Sequence, residues 1–291
     1  VMMRTGKYKW MPPLPGVIGN ELAGVVEDVG AEVDRGWIGR EVLVSARELT
    51  TRGGCYAEAI TVPAESLIEI PDTIDSLSAI ALPNYQLAWG LLHEATRGKL
   101  PRSVYVNGAG GGVGSALIDL ATQLGVRVIA GAGNEEKRRL ARARGAEAAV
   151  DTGMPMKELV QAVRDGIGGD GADVVFDHLC GSGLAQHLDM LAPFGLLVSY
   201  NALKGPAGGD LFASLRASAA RALSVTAFNM HAYNGADNRA QRRGLLHQPI
   251  EWMASGRIRP AITRTFPLAQ AASAHAVLDS ADFTGKLALI P

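Results

Sequence analysis

The chain has 291 residues, 28 basic and 29 acidic side chains, a formal net charge of −1 and 47% hydrophobic residues. Such a balance excludes a nucleic-acid binder that works by bulk phosphate neutralisation, while the length and apolar fraction suit two domains, each with its own core. The two cysteines, Cys55 and Cys180, exclude a disulfide framework and every cysteine-rich zinc pattern, and no apolar run reaches the roughly 18 residues of a membrane helix.

No basic stretch leads into an apolar signal core, so a cytoplasmic location is expected. The chain opens on Val1 and reads at once like the interior of a domain, so further residues are expected upstream. From Val17 to Ile70, β-rich runs at Leu22 to Val29, Glu41 to Val44, Tyr56 to Val62 and Leu67 to Ile70 alternate with glycine, proline and charged turns. They predict a small, mostly antiparallel β domain. Near Ser103 the period changes. Val104 to Val106 is a buried-strand run; after a glycine cluster, Val113, Ala116, Leu117, Leu120, Ala121 and Leu124 recur on one face of a helix that stops at Gly125.

Strand Arg127 to Ala130 leads to a helix capped by Asn134, with Glu135 and Glu136 near its positive end and Gly145 at its exit. Strands follow at Ala148 to Asp151, Asp173 to Asp177 and Leu196 to Tyr200, with helices near Met156 to Arg164 and Leu184 to Leu191 between them. This alternation predicts an α/β fold with a parallel, doubly wound sheet. A late strand at Leu223 to Phe228, a helix near Arg239 to Ser255 and a β-like tail from Ile262 to Ile290 complete the chain. The tail is expected to rejoin the first domain, giving one domain of residues 1–84 with 258–291 and another of 85–257.

The strongest motif runs from Asn107 through Gly108, Ala109, Gly110, Gly111, Gly112 and Val113 to Gly114, between a predicted strand and a predicted helix. It fits a dinucleotide loop: Gly111 lets backbone approach a pyrophosphate, Gly114 lets helix pack on sheet, and the helix start offers N–H donors. A carboxylate usually follows at the end of the second strand to hold ribose hydroxyls, but here that end reads Ala130-Gly131-Ala132-Gly133. Lys137, Arg138 and Arg139 open the next helix instead. Cations beside a roomy turn favour a 2′-phosphate, hence NADPH; the alternative is a solvated basic helix face.

Pro15-Gly16-Val17-Ile18-Gly19-Asn20-Glu21-Leu22-Ala23-Gly24-Val25-Val26, the loop Gly108 to Gly114 and the closing Thr284-Gly285-Lys286 resemble the medium-chain dehydrogenase/reductase superfamily across nearly the whole chain. The Gly-Gly-Val-Gly loop and the opening Arg4-Thr5-Gly6-Lys7-Tyr8 resemble its zinc-independent quinone oxidoreductase branch. The resemblance implies a GroES-like domain built from both ends of the chain and a Rossmann domain between them. Zinc-using members carry Gly-His-Glu where this chain reads Gly19-Asn20-Glu21, so no metal is expected. Relatives often place a Tyr where Thr152 stands, which leaves the 2′-phosphate reading resting on Lys137.

Without a Lewis acid, quinones and activated alkenes are the expected hydride acceptors, their developing charge met by hydrogen bonds. Tyr8 is the candidate proton donor or a packing residue, and Asn20 orients substrate or forms a plain turn. Gly181 and Asn201, beyond strand ends, are candidates for the nicotinamide end of the cofactor. The resemblance adds Phe228 and Lys286. A Tyr-x-x-x-Lys match at Tyr200 to Lys204 straddles a strand end and a turn, where the one-turn helical spacing it needs is missing. An enoyl-thioester reductase and a non-catalytic NADPH-binding protein are the alternatives. The late strand suits pairing across a two-fold axis in a homodimer.

Overall fold

Residues 21–69 pair as an antiparallel meander of β1 (Glu21–Val25), β2 (Glu41–Ser45) and β3 (Leu67–Glu69), with β2 in the centre. Four successive residues of β2, Val42 to Ser45, are buried, as a central strand requires, and so is Ala46 in the turn after it. The computed structural model describes residues 3–6, 8, 11–235, 238–280 and 283–291. Two short helices follow, α1 (Ser76–Ala79), capped by the Asp75 carboxylate, and α2 (Leu82–His93).

The expected alternation then appears: β4 (Ser103–Asn107), α3 (Gly112–Gln123), β5 (Arg127–Ala132), α4 (Glu135–Ala143), β6 (Ala148–Asp151), α5 (Met156–Ile167), β7 (Ala172–Asp177), β8 (Leu191–Ser199), α6 (Leu211–Ala217) and β9 (Ser224–Ala227). All six strands lie parallel in the order β6-β5-β4-β7-β8-β9. The order reverses beside β4, the topological switch point of a doubly wound sheet. Strands covered on both faces must be apolar throughout; every residue of β4 is buried, and Tyr105, Ile129, Val175 and Leu197 join Leu159 and Val163 of α5 in one core. Each such side chain contributes roughly 1.5–3 kcal/mol on burial.

The chain closes with α7 (Arg239–Ala254), β10 (Ile262–Pro267), α8 (Ala271–Asp279) and β11 (Lys286–Ile290). β10 and β11 pair in parallel, and the α8 crossover that a parallel pair demands was absent from the sequence reading of this tail as simply β-like. Two further expectations differ. Residues 56–62 form no strand: Gly54, Cys55 and Tyr56 donate to Val17, Gly19 and Ile18 carbonyls, and pairing stops there, before Pro63. Leu184 to Met190 winds as a 3₁₀ segment, because Gly183 supplies no capping side chain and β8 begins immediately at Leu191.

The compact units are residues 1–83 with 234–291, and residues 84–233. The return to the first unit therefore comes earlier than residue 258, and α7 belongs with the first unit rather than with the sheet. Arginines at i, i+3 and i+4 on one face of α7 provide the reason. Glu48, just after β2 and only 1% exposed at its side chain, accepts from Arg242 Nε at 2.7 Å and Nη2 at 2.9 Å and from Arg243 Nε at 3.2 Å, with Arg239 Nε at 3.8 Å.

Burial alone would raise the Glu48 carboxyl, but hydrogen bonds and charges from Arg242 and Arg243 outweigh it and hold the group below its ordinary 4.5. Its stabilising contribution is therefore present above that ordinary value and lost as pH falls through the lower folded value. Glu48→Gln leaves buried guanidinium groups without their counter-charge and is expected to cost about 3–5 kcal/mol at pH 7. Thermal unfolding across pH checks this: the gap between variant and parent must narrow in acid, and equal melting at pH 7 would show that the cluster contributes nothing.

Candidate active site

β4 ends at Asn107, and the chain turns at Gly108, whose φ of +81° a side chain would strain. The Gly108 and Ala109 amides donate to the Gly131 carbonyl at 2.9 and 3.0 Å, fixing the turn against β5. Gly111 precedes α3 as its extended N-cap, and Gly112 and Val113 form the first helical residues, both half-buried. A Cβ at Gly114 would lie 2.5 Å from the Gly108 carbonyl oxygen and 2.9 Å from the Ala109 Cα. Only glycine lets α3 begin so near the strand. The amides at the helix start, with the positive end of its dipole, face the switch point and suit a pyrophosphate.

Asn134 caps α4 by accepting from the Lys137 amide at 2.9 Å. The Lys137 stem lies over the loop: a Cβ at Gly110 would come within 2.5 Å of its Cγ. Arg138 instead pairs with Glu135 at 2.9 Å and Asp151 at 3.1 Å, and Arg139 is exposed. The three cations that the sequence groups together thus divide, with Lys137 the one against the glycine loop. At the end of β5, Ala132 and Gly133 carry no carboxylate, and Thr152 Oγ1 lies 3.6 Å from where a Gly133 Cβ would stand. The cradle fits a dinucleotide with a phosphorylated ribose.

Gly181, Asn201 and Phe228 lie just past β7, β8 and β9 at the carboxyl edge of the sheet. Gly181 has φ +75° and donates to Gly205 at 3.1 Å; the exposed Asn201 accepts from the Ala202 amide at 2.9 Å; the Phe228 amide donates to Ser199 at 2.9 Å. Beneath them, the fully buried Asp177 accepts from Asn107 Nδ2 and from the Cys180 amide at 2.6 Å. His178, which no periodicity or motif singles out, abuts the Gly108 Cα. Its Nδ1 lies 3.0 Å from the Asn107 carbonyl and its ring stacks on Tyr200 at 5.8 Å. Burial pushes His178 below its ordinary value, against the Asn107 bond and the Asp177 charge, so it is neutral at pH 7.

The first unit carries the remaining candidates. Asn20 is exposed, and its carbonyl accepts from the Ala46 amide at 2.7 Å. Its neighbour Glu21 pairs with Lys286, Nζ to Oε2 3.3 Å, so this expected site residue stands beside the start of β1. Pairing of residues 54–56 with 17–19 brings Arg52 alongside the same segment. Arg52 hydrogen-bonds the Tyr8 phenol, and Arg47, which donates to the Pro83 carbonyl at 2.9 Å, lies within charge range of Tyr8, Glu21 and Arg52. Burial, followed by the Glu21 charge, pushes the Cys55 thiol up to about 12, so it is no nucleophile. Sequence reasoning missed both arginines: a surface-like Arg carries no periodic signal for a partner far along the chain. Among the described residues, no three His, Cys, Asp or Glu side chains gather as a metal site, and no helix is long and apolar enough to cross a membrane.

Residues 138–289 match the zinc-binding dehydrogenase family, and residues 1–72 match the alcohol dehydrogenase GroES-like domain. A quinone oxidoreductase of Pseudomonas aeruginosa is 32% identical over 290 residues, 99% of this chain and 86% of that protein. A 2-haloacrylate reductase of a Burkholderia species is 30% identical over 285 residues, 96% and 82% of the two chains. The crystal structure of Escherichia coli quinone oxidoreductase complexed with NADPH superposes with a TM-score of 0.85 at 26% identity, covering 100% of this chain and 86% of that one.

Gly114→Ala forces α3 away from the loop. Binding of NADPH, followed by fluorescence titration, is expected to weaken on the order of tenfold or more, and unchanged affinity would show that the cradle does not hold the dinucleotide.

Proposed function

The chain belongs to the medium-chain dehydrogenase/reductase superfamily, in its quinone oxidoreductase branch, and from that membership we propose that it transfers hydride from NADPH to a quinone or another activated conjugated acceptor. The observation that carries this reading is the glycine cradle at the switch point, with the Lys137 stem laid across Gly110. Bound NADPH supplies the hydride; the protein binds, orients and excludes water.

In this reading the backbone of Gly108, Ala109, Gly111, Gly112, Val113 and Gly114 receives the pyrophosphate. Lys137, set by the Asn134 cap, meets the 2′-phosphate, and Gly181, Asn201 and Phe228 border the nicotinamide end. Tyr8 donates its phenolic hydrogen to the acceptor oxygen on which charge develops, and Asn20, standing where zinc-using members carry His, orients the acceptor. Lys286 holds Glu21 in place. The reaction so described asks for no metal. The similarity to a 2-haloacrylate reductase supports activated alkenes beside quinones as acceptors.

A cytoplasmic location and a homodimer complete the proposal. Support for the dimer is the position of β9 at one edge of the sheet, where its unpaired backbone suits pairing across a two-fold axis. Sedimentation equilibrium should return the mass of two chains, and a single-chain mass sinks this part.

Consumption of NADPH, with NADH in parallel, by the protein offered a small ortho-quinone tests the activity. NADPH-selective loss is expected, with KM for NADPH raised roughly tenfold or more in Lys137→Ala and that for NADH little changed. Tyr8→Phe should lower kcat while leaving NADPH affinity intact. Binding of NADPH without reduction of any acceptor would overturn the proposal.

A further inference from the structure

The strand order of the second unit reverses between β4 and β7, and the residue that follows β7 at this crevice is a histidine. The backbone around His178 is held from the β8 side: the Tyr200 amide donates to the Asp177 carbonyl at 2.9 Å and the Leu203 amide to the His178 carbonyl at 3.3 Å. Its ring is held twice. Nδ1 lies 3.0 Å from the Asn107 carbonyl, and the Tyr200 ring stacks on the imidazole with centroids 5.8 Å apart and planes 26° from parallel. Asn107 is itself fixed, since its Nδ2 donates to the fully buried Asp177 carboxylate, which also accepts from the Cys180 amide at 2.6 Å.

This arrangement decides the tautomer. A carbonyl only accepts, so Nδ1 carries the ring hydrogen, and Nε2 of the neutral imidazole keeps its lone pair. Nε2 lies 3.0 Å from where a Gly108 Cβ would stand, which puts that lone pair beside the first turn of the glycine loop, on a residue only half-buried. A phosphate oxygen, itself an acceptor, is the wrong partner for it, and a hydroxyl is the right one. We propose that His178 Nε2 accepts a hydrogen bond from a ribose hydroxyl on the nicotinamide side of the bound dinucleotide; this rests on the NADPH-binding reading above.

The side of the crevice names the ribose. A dinucleotide crosses a doubly wound sheet at the switch point, with its pyrophosphate at the helix start and one nucleoside to each side. Lys137 lies against the loop on the side of β5 and α4, which takes the adenosine half. The β7 side, where His178 stands, is left for the nicotinamide riboside, and ribose hydroxyls are the donors next to the pyrophosphate there. His178 thus anchors the half of the cofactor that reacts, and serves NADPH and NADH alike, whereas Lys137 acts on the half that distinguishes them.

Calorimetric titration with NADPH and with adenosine 2′,5′-bisphosphate, which carries the adenosine half and no nicotinamide ribose, tests this. In His178→Asn the side-chain amide nitrogen takes the place of Nδ1 and keeps the bond to Asn107. Its Kd for NADPH is expected to rise about tenfold, and that for the bisphosphate to stay within about twofold of the parent. His178→Gln, whose amide oxygen takes the place of Nε2, should recover most of the NADPH affinity. An Asn variant that binds NADPH like the parent, a Gln variant that recovers nothing, or equal weakening toward both ligands overturns the proposal and leaves the ring a clamp on the loop. Should the variants fail to fold, long-range proton–nitrogen NMR of the parent decides: Nε2 of His178 must carry no hydrogen, and its nitrogen resonance must move upfield with NADPH and stay in place with the bisphosphate. A hydrogen on Nε2, or no movement, overturns the proposal. Tight NADPH binding without these differences rejects this inference alone, and no binding of NADPH rejects the cofactor reading and this inference together.

Discussion

Everything in the second unit follows from how closely α3 approaches the end of β4. Because Gly114 has no side chain, the helix starts against the Gly108 carbonyl, and its first amides open at the edge of the sheet instead of over its face. Parallel strands all end on the same side, so β5, β7, β8 and β9 deliver Gly133, Gly181, Asn201 and Phe228 to that same edge. A larger residue at position 114 would move the helix start, and the amides there would no longer share an edge with the strand ends.

Buried charge is handled differently at three carboxylates. Glu48 is saturated by arginines and serves as a structural clasp. Asp119 of α3 accepts from the Tyr85 phenol of α2 and from Arg144 just after α4, joining three helices in the same way. Burial raises the Asp119 carboxyl even so, with Arg144 and Tyr85 pulling against it. Glu21 is the exception: half-buried, it pairs with Lys286 and lies within charge range of Arg47 and Arg52 as well.

Much of this was legible because local periodicity and punctuation reported it. The α3 face, the Asn134 cap, the glycine loop and the start of α7 at Arg239 all come from residues within a turn or two of one another. α2 was missed because it is apolar on nearly every side, which removes the amphipathic stripe that identifies a surface helix. Residues 56–62 have strand-like composition but lack a partner strand, and composition does not name partners. Arg52 beside Tyr8, Glu48 beneath α7 and His178 under Gly108 are tertiary meetings across the chain. Residue order carries no trace of them until the fold exists. The division of Lys137 from Arg138 was hidden for a related reason: neighbouring helical positions point in different directions, and Arg138 meets Asp151 on the next strand end as well as Glu135.

The clasp between Glu48 and α7 also joins segments of the first unit that are synthesised far apart. Residues 84–233 contain their whole sheet and core, so this unit can close as soon as it has emerged. The first unit cannot: its meander is synthesised early, yet the arginines that neutralise Glu48 and the lysine that meets Glu21 arrive only with residues 239–286. Until then Glu48 lacks the arginines that surround it in the folded unit, whereas Glu21 already has Arg47 and Arg52 within charge range. Charge complementarity between segments nearly two hundred residues or more apart thus ties the early and late parts of the first unit together.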